Sequence, residues 1–226
     1  MVRWGYRPAR CAAGTGPEMS SPASDYPCSM SASDPPQPDS PPKLLALGGS
    51  LRRDSFNQTL VQCAAEAAEA AGAQVTVLPL SELDLPLMNQ DLEPDAVPAG
   101  ATRLKEAMRA ADGFLIACPE YNASVSAPLK NAIDWASRPA DGEPPRVAFA
   151  GKVAAVMTAT PSGLGGVRGL DHLRAILTNL QTVVLPQQVT VSAAHEKILD
   201  GVVDPAVAAK VDVLARALVA FVGRGN

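Results

Sequence analysis

Three short stretches of the chain carry side chains suited to holding a ligand. The first is residues 48–57, GGSLRRDSFN. Its glycines let the backbone turn sharply where a side chain would block it. The hydroxyls of Ser50 and Ser55 and the amide of Asn57 follow closely, and Arg52 adds a forked donor suited to phosphate. A helix starting at the end of this stretch would add unpaired N–H groups and the positive end of its dipole, completing an anion site. Taken singly, Ser55 or Asn57 reads as a helix cap and Arg52 as a solvated residue. Together, on one turn, they read as a cup. The second stretch, residues 119–124 (PEYNAS), is a Pro-led turn that can lay backbone amides and the Tyr121 ring against a flat heterocycle. The third, residues 158–168 (TATPSGLGGVR), offers bare backbone at Gly163, Gly165 and Gly166, whose N–H groups suit ring carbonyls and negative charge on a reduced ring.

The first loop lacks both the G-x-G-x-x-G dinucleotide fingerprint and the Gly-Lys-Ser/Thr end of a Walker A loop. Dinucleotide sites use close backbone approach to a pyrophosphate. A hydroxyl-rich cup instead suits a terminal monophosphate with more exposed oxygens, and FMN fits that better than NAD or ATP.

The elements that must position these loops follow from apolar patterning. Near-continuous apolar runs at 44–47, 75–80, 113–118, 153–158 and part of 182–191 read as strands covered on both faces. Between them, residues at helical spacing mark Leu60 to Ala71, Leu104 to Ala111, Leu129 to Ala136, with Pro128 near its first turn, and Leu170 to Leu180. Gly72 is placed to stop the first helix, and Asp204-Pro205 to open a last one. Alternating strands and helices imply right-handed βαβ crossovers. The expected fold is α/β, a flavodoxin-like, doubly wound, five-stranded parallel sheet in the order 2-1-3-4-5. Ligands of such sheets lie outside the carboxyl ends of the strands, near the switch point between strands 1 and 3. The three stretches all fall at such ends.

Residues 1–42 differ from the rest, holding nine of the 21 prolines and seven serines without helical or strand periodicity. They read as a disordered extension, with Met19 and Met30 as further possible starts, and residues 43–226 as the one folded domain. The formal charge of −4 gives no electrostatic case for nucleic acid. No apolar run approaches the roughly 20 residues of a spanning helix, so no membrane partner is expected. Four scattered cysteines and two histidines make no metal set, and Cys118 reads as a core thiol in a reducing cytoplasm.

GSLRRDSFN resembles the G-S-x-R-x-x-S-x-N phosphate loop of NADPH-dependent FMN reductases, a family that includes quinone, azo-dye and chromate reductases; Gly49, Ser50, Arg52, Ser55 and Asn57 all match. Residues 119–124 and the following LKNAIDW helix are similar to the family's P-E-Y-N-x-S segment and its helix; the glycine-rich third loop also has a counterpart, as does 85–92, between strand 2 and the next helix, which is expected to wall the site or the dimer contact. The resemblance, over about residues 43–192, implies that the first loop holds the FMN phosphate. It further implies that Pro119, Glu120, Tyr121 and Asn122 border the isoalloxazine ring, and that Ser162, Gly163, Gly165 and Gly166 meet its pyrimidine edge. The implied activity is ping-pong transfer from NADPH or NADH through FMN to a small acceptor: a quinone, free flavin, azo compound or metal oxyanion. A homodimer or homotetramer is implied as well. A general-base role for Glu120 is weaker than a helix-cap or interface role, because hydride transfer through a flavin needs no protein base at the reacting carbon. The rival readings are a non-enzymatic electron carrier, a redox-responsive binding module recruited through the tail, and a hydrolase pairing Ser50 or Ser162 with His172 or His195. For the last, G-x-S-x-G is missing.

Overall fold

The computed structural model describes residues 40–92, 97–140 and 142–224, so most of the expected extension lies outside the described residues. In chain order the elements are β1 (Lys43–Gly48), α1 (Phe56–Ala70), β2 (Gln74–Val77), α2 (Ala99–Ala110), β3 (Gly113–Ala117), β4 (Glu120–Tyr121), β5 (Ser124–Val125), α3 (Ala127–Ala136), β6 (Val153–Ala159), α4 (Val167–Asn179), β7 (Val183–Val191), α5 (Ala194–Lys197), β8 (Ile198–Leu199), β9 (Val202–Val203) and α6 (Pro205–Val222).

The main sheet runs β2-β1-β3-β6-β7 with every pairing parallel. Counting only its own strands, that is the expected order 2-1-3-4-5. Its central strands are buried along their whole length because both faces are covered. On one face Leu44, Ala46, Leu115, Ala155 and Met157 pack with α1 and α6 residues such as Leu60, Ala64, Val211 and Leu214. On the other, Leu45, Leu47, Phe114, Ile116 and Val156 meet Leu104, Leu129, Leu170 and Leu173. The alternation along each strand explains the unbroken apolar runs: neighbouring side chains enter opposite cores.

Helix boundaries follow local chemistry. Gly72, at φ 95°, ends α1 in a left-handed turn. Its N–H donates to the Glu69 carbonyl, and that of Ala73 to Ala68, the paired bonds of a Schellman motif. Asp204 caps α6 by accepting from Ala206 and Val207, with Pro205 in the first turn.

Patterning missed two small features. β4 and β5 form a hairpin across Asn122 and Ala123, both at positive φ, and two-residue strands are too short to show a period. The edge strand β7 carries an irregularity between its pairs with Ala154 and Val156, around Pro186. There Arg174 donates to the Leu185 carbonyl at 2.8 Å and the Gln188 side chain at 2.8 Å, satisfying groups that the ladder leaves open. Among the described residues no helix is long and apolar enough to cross a membrane.

Candidate functional site

The loops after β1, β3 and β6 meet at the carboxyl end of the sheet. A cleft of about 210 Å³ there is lined by Ser50, Arg52, Ser55, Asn57, Pro119, Glu120 and Tyr121. Phe56, Ala159, Thr160 and Pro161 complete it; patterning gave no reason to single them out.

Ser55 caps α1, its hydroxyl accepting from the Gln58 N–H, and both Ser50 and Ser55 are buried. The Ser50 hydroxyl accepts from the Arg52 N–H at 3.3 Å, curling the loop around the cleft. The first turn of α1 holds no acidic residue, so the positive helix end has no intrinsic counter-charge. The Arg52 guanidinium lies over the Phe56 ring, 5.1 Å from its centroid, which parks the charge at the rim. These hydroxyls and helix-end amides fit the monoester end of FMN.

Asn57 lines the cleft, but its amide has another engagement. Its Nδ2 donates to the Ala159 carbonyl at 2.8 Å, and its Oδ1 accepts from the Ala159 N–H at 2.9 Å. The side chain therefore ties the start of α1 to the end of β6. Ser126, which sequence reasoning passed over, does the same elsewhere: its buried hydroxyl donates to the Gly49 carbonyl at 2.5 Å. A Cβ on Gly49 would come within 3.0 Å of Leu129 and 3.1 Å of Pro119, so a larger residue there would have to push these loops slightly apart.

Glu120 serves as an anchor. Its side chain is only 6% exposed. One oxygen accepts from Arg168 at 2.9 and 2.5 Å, and the other accepts from the Gly169 N–H in the first turn of α4 at 3.0 Å. Burial opposes its ionisation, but the bonds from Arg168 and Gly169 outweigh that and hold the carboxyl below its ordinary range. A base that weak, with its oxygens engaged, does not suit proton abstraction. Glu120→Gln is expected to lower stability at pH 7 by about 2 kcal/mol. Because the folded carboxyl titrates below its usual value near 4.5, that loss is present above this value and fades as pH falls through the folded one. The urea-unfolding gap between the two proteins should therefore shrink as pH falls below the ordinary carboxylate range; a gap independent of pH would refute the pairing.

Tyr121 is half exposed at the cleft mouth. Asn122 faces a neighbouring open groove with Ser124, Lys130 and His172, outside the cleft proper. Ser162 follows Pro161 of the cleft lining, its N–H donating to Thr160 Oγ1 at 3.3 Å. Gly163 borders open space, whereas Gly165 and Gly166 adopt positive φ where the loop turns into α4. A Cβ on Gly166 would sit 2.4 Å from Thr158 Oγ1 and 2.9 Å from its Cγ2. Gly166→Ala, strained in φ and blocked by β6, is expected to lower stability by about 3 kcal/mol; thermal unfolding within 2 °C of the parent, taken as about the smallest shift worth reading, would count against that packing.

The hydrolase reading loses its geometry, since His172 Nδ1 is 2.9 Å from Ser124 Oγ and His195 faces Glu196. Burial pushes the Cys118 thiol up to about 11, consistent with a core residue. Among the described residues no group of His, Cys, Asp or Glu could hold a metal.

A parallel sheet with a hydroxyl-lined anion cup after its first strand defines a flavodoxin-fold, nucleotide-phosphate-binding protein. The chain belongs to the NADPH-dependent FMN reductase family, whose pattern matches residues 42–196. It is 39% identical over 157 residues to a Pseudomonas aeruginosa NAD(P)H-dependent FMN reductase, covering 68% of this chain and 79% of that protein. It is 43% identical over 137 residues to an Arabidopsis thaliana NADPH:quinone oxidoreductase, covering 59% of this chain. That match spans 65% of the Arabidopsis protein, just under two thirds of its length. Among solved structures, the Paracoccus denitrificans flavoenzyme NAD(P)H:(acceptor) oxidoreductase FerB superposes with a TM-score of 0.68 at 33% identity, covering 80% of this chain and 97% of that one.

Proposed function

We propose that this chain reduces a small acceptor, a quinone foremost, with NADPH or NADH through FMN held in the cleft. The observation that carries this reading is the pair of buried hydroxyls, Ser50 and Ser55, before a helix whose first turn holds no acidic residue. Ser50, Arg52, Ser55 and the first amides of α1 hold the phosphate. Pro119 and Tyr121 border the ring from the cleft and Asn122 from the groove beside it, and Ser162, Gly163, Gly165 and Gly166 face its pyrimidine edge. Asn57 and Glu120 contribute chiefly by fixing the loops. Bound FMN would supply the two-electron centre, against which the residues of the cleft would align donor and acceptor.

The same reading places the protein in the cytoplasm, where thiols such as Cys63 and Cys118 stay free. It works as a homodimer or homotetramer, which would cover exposed apolar residues such as Tyr121 and Leu164. Residues 1–42 act as an appendage. Pro42, whose carbonyl accepts from Gln74 N–H at 2.8 Å, is already stitched to the sheet, so a chain starting at Ser40 is expected to keep full flavin content and its unfolding temperature. Loss of either on truncation would tie the appendage to the fold.

The decisive experiment mixes FMN-loaded protein with excess NADPH in a stopped-flow instrument, then adds a quinone. Rapid bleaching of the flavin band followed by quinone-dependent recovery is expected. No bleaching at saturating NADPH and NADH would instead indicate an electron carrier.

A further inference from the structure

Behind the phosphate loop lies a second cleft, of about 280 Å³. Ser50 and Arg52 line the first cleft, and Leu51, between them, lines the second. Leu80, Leu85, Leu87, Ala127 and Pro128 supply the remaining apolar wall. Its polar lip is Ser81, Asp84 and Asn131, and no lysine or arginine lines it.

Two of these leucines are unusually placed. Leu87 is 82% exposed and Leu51 is 55% exposed. The backbone on both sides of Leu87 is nonetheless fixed. The Pro86 carbonyl accepts from Asn131 Nδ2 and from Trp135 Nε1, each at 2.8 Å, and the Met88 N–H donates to Asn131 Oδ1 at 2.8 Å. Asn131 thus grips the strap before and after Leu87 and leaves the side chain in water. An apolar group held there on a fixed backbone has no role in the core; it suits contact with something apolar. The lining also excludes much. One carboxylate and no cation disfavour the phosphates of NADPH and any anionic acceptor, while a neutral, apolar ligand meets no charge penalty.

We infer that this second cleft binds the apolar side chain of a quinone acceptor whose ring lies at the cofactor cleft, so that Leu51 and Leu87 set a preference for alkyl- or prenyl-substituted quinones. The inference rests on the quinone reading above and narrows it to one substrate class. Pro128 lies in the first turn of α3, and the Ser126–Gly49 bond ties the start of that helix to the phosphate loop, so the subsite is formed before the ligand arrives.

The test separates this claim from the activity itself. Trp4→Phe leaves Trp135, beside the strap, as the one tryptophan of the chain. Quenching of its fluorescence in FMN-loaded protein is titrated with a benzoquinone carrying a decyl tail and with the same ring carrying methyl. The decyl compound is expected to bind about tenfold more tightly or better, the effect of burying roughly two methylenes. In Leu87→Ser and Leu51→Ser the two compounds should bind within about twofold of each other, with methyl-ring affinity unchanged. NADPH-driven turnover should show the same pattern in KM, with kcat unaltered. Equal affinities in the parent, or a tail preference that survives both substitutions, overturns the subsite even if both quinones are reduced. Failure to reduce either quinone would end the activity reading, while the binding comparison would still decide the subsite.

Discussion

Replacing Ser55 with aspartate is expected to abolish FMN retention while leaving the fold intact. Aspartate caps helices as well as serine does, and its charge favours the positive end of α1, so the Gln58 N–H keeps its acceptor. For a bound phosphate the change removes a hydroxyl donor and puts a carboxylate in the cup. Two like charges about 4 Å apart at an effective dielectric near 20 repel by about 4 kcal/mol, a roughly thousandfold rise in Kd. Calorimetric titration of apoprotein with FMN reads this directly, and thermal unfolding of the same apoprotein should show no loss of stability. A Kd within about threefold of the parent would remove Ser55 from the phosphate site. Arg52→Ala should have a smaller effect, because the Arg52 guanidinium rests on Phe56 at the rim.

Asn57→Ala is expected to act on stability first and on flavin second. It deprives both the N–H and the carbonyl of Ala159 of buried partners. At 1–3 kcal/mol for each unsatisfied group, the loss should be about 3 kcal/mol, or a fall of about 6–12 °C in Tm for a domain of this size. Asn57→Asp should be nearly as damaging, since a carboxylate can accept from the Ala159 N–H but meets the Ala159 carbonyl without a proton to offer. Scanning calorimetry of the apoproteins separates this role from direct ligation. An apoprotein as stable as the parent, with flavin affinity alone reduced, would return Asn57 to the phosphate shell.

These two residues show how far the chain could be read without its structure. Ser55 was legible as a helix cap, because capping and helix start are local consequences of a hydroxyl at that point in a strand–turn–helix. Asn57 was legible as a site residue, but its bracing role was not, because its partner Ala159 lies 102 positions away. Ser126 gave no signal at all, since a lone serine before a helix reads as an ordinary cap, and its bond to Gly49 spans 77 positions. Glu120 resembled a ring neighbour in the second loop. Its carboxyl is held by Arg168 at the end of the third and by the Gly169 N–H just beyond it.

The amino-acid sequence by itself determined the sheet, its order and the strand–turn–helix after β1, because apolar period, glycine placement and turn residues act over a few positions and leave few topologies open. The tertiary structure alone decided which polar side chains face the cleft and which hold its walls together. Asn57, Glu120 and Ser126 could each have done either. A buried donor or acceptor must be satisfied by whatever the fold brings within about 3 Å, and that neighbour is fixed by packing between segments far apart in the chain.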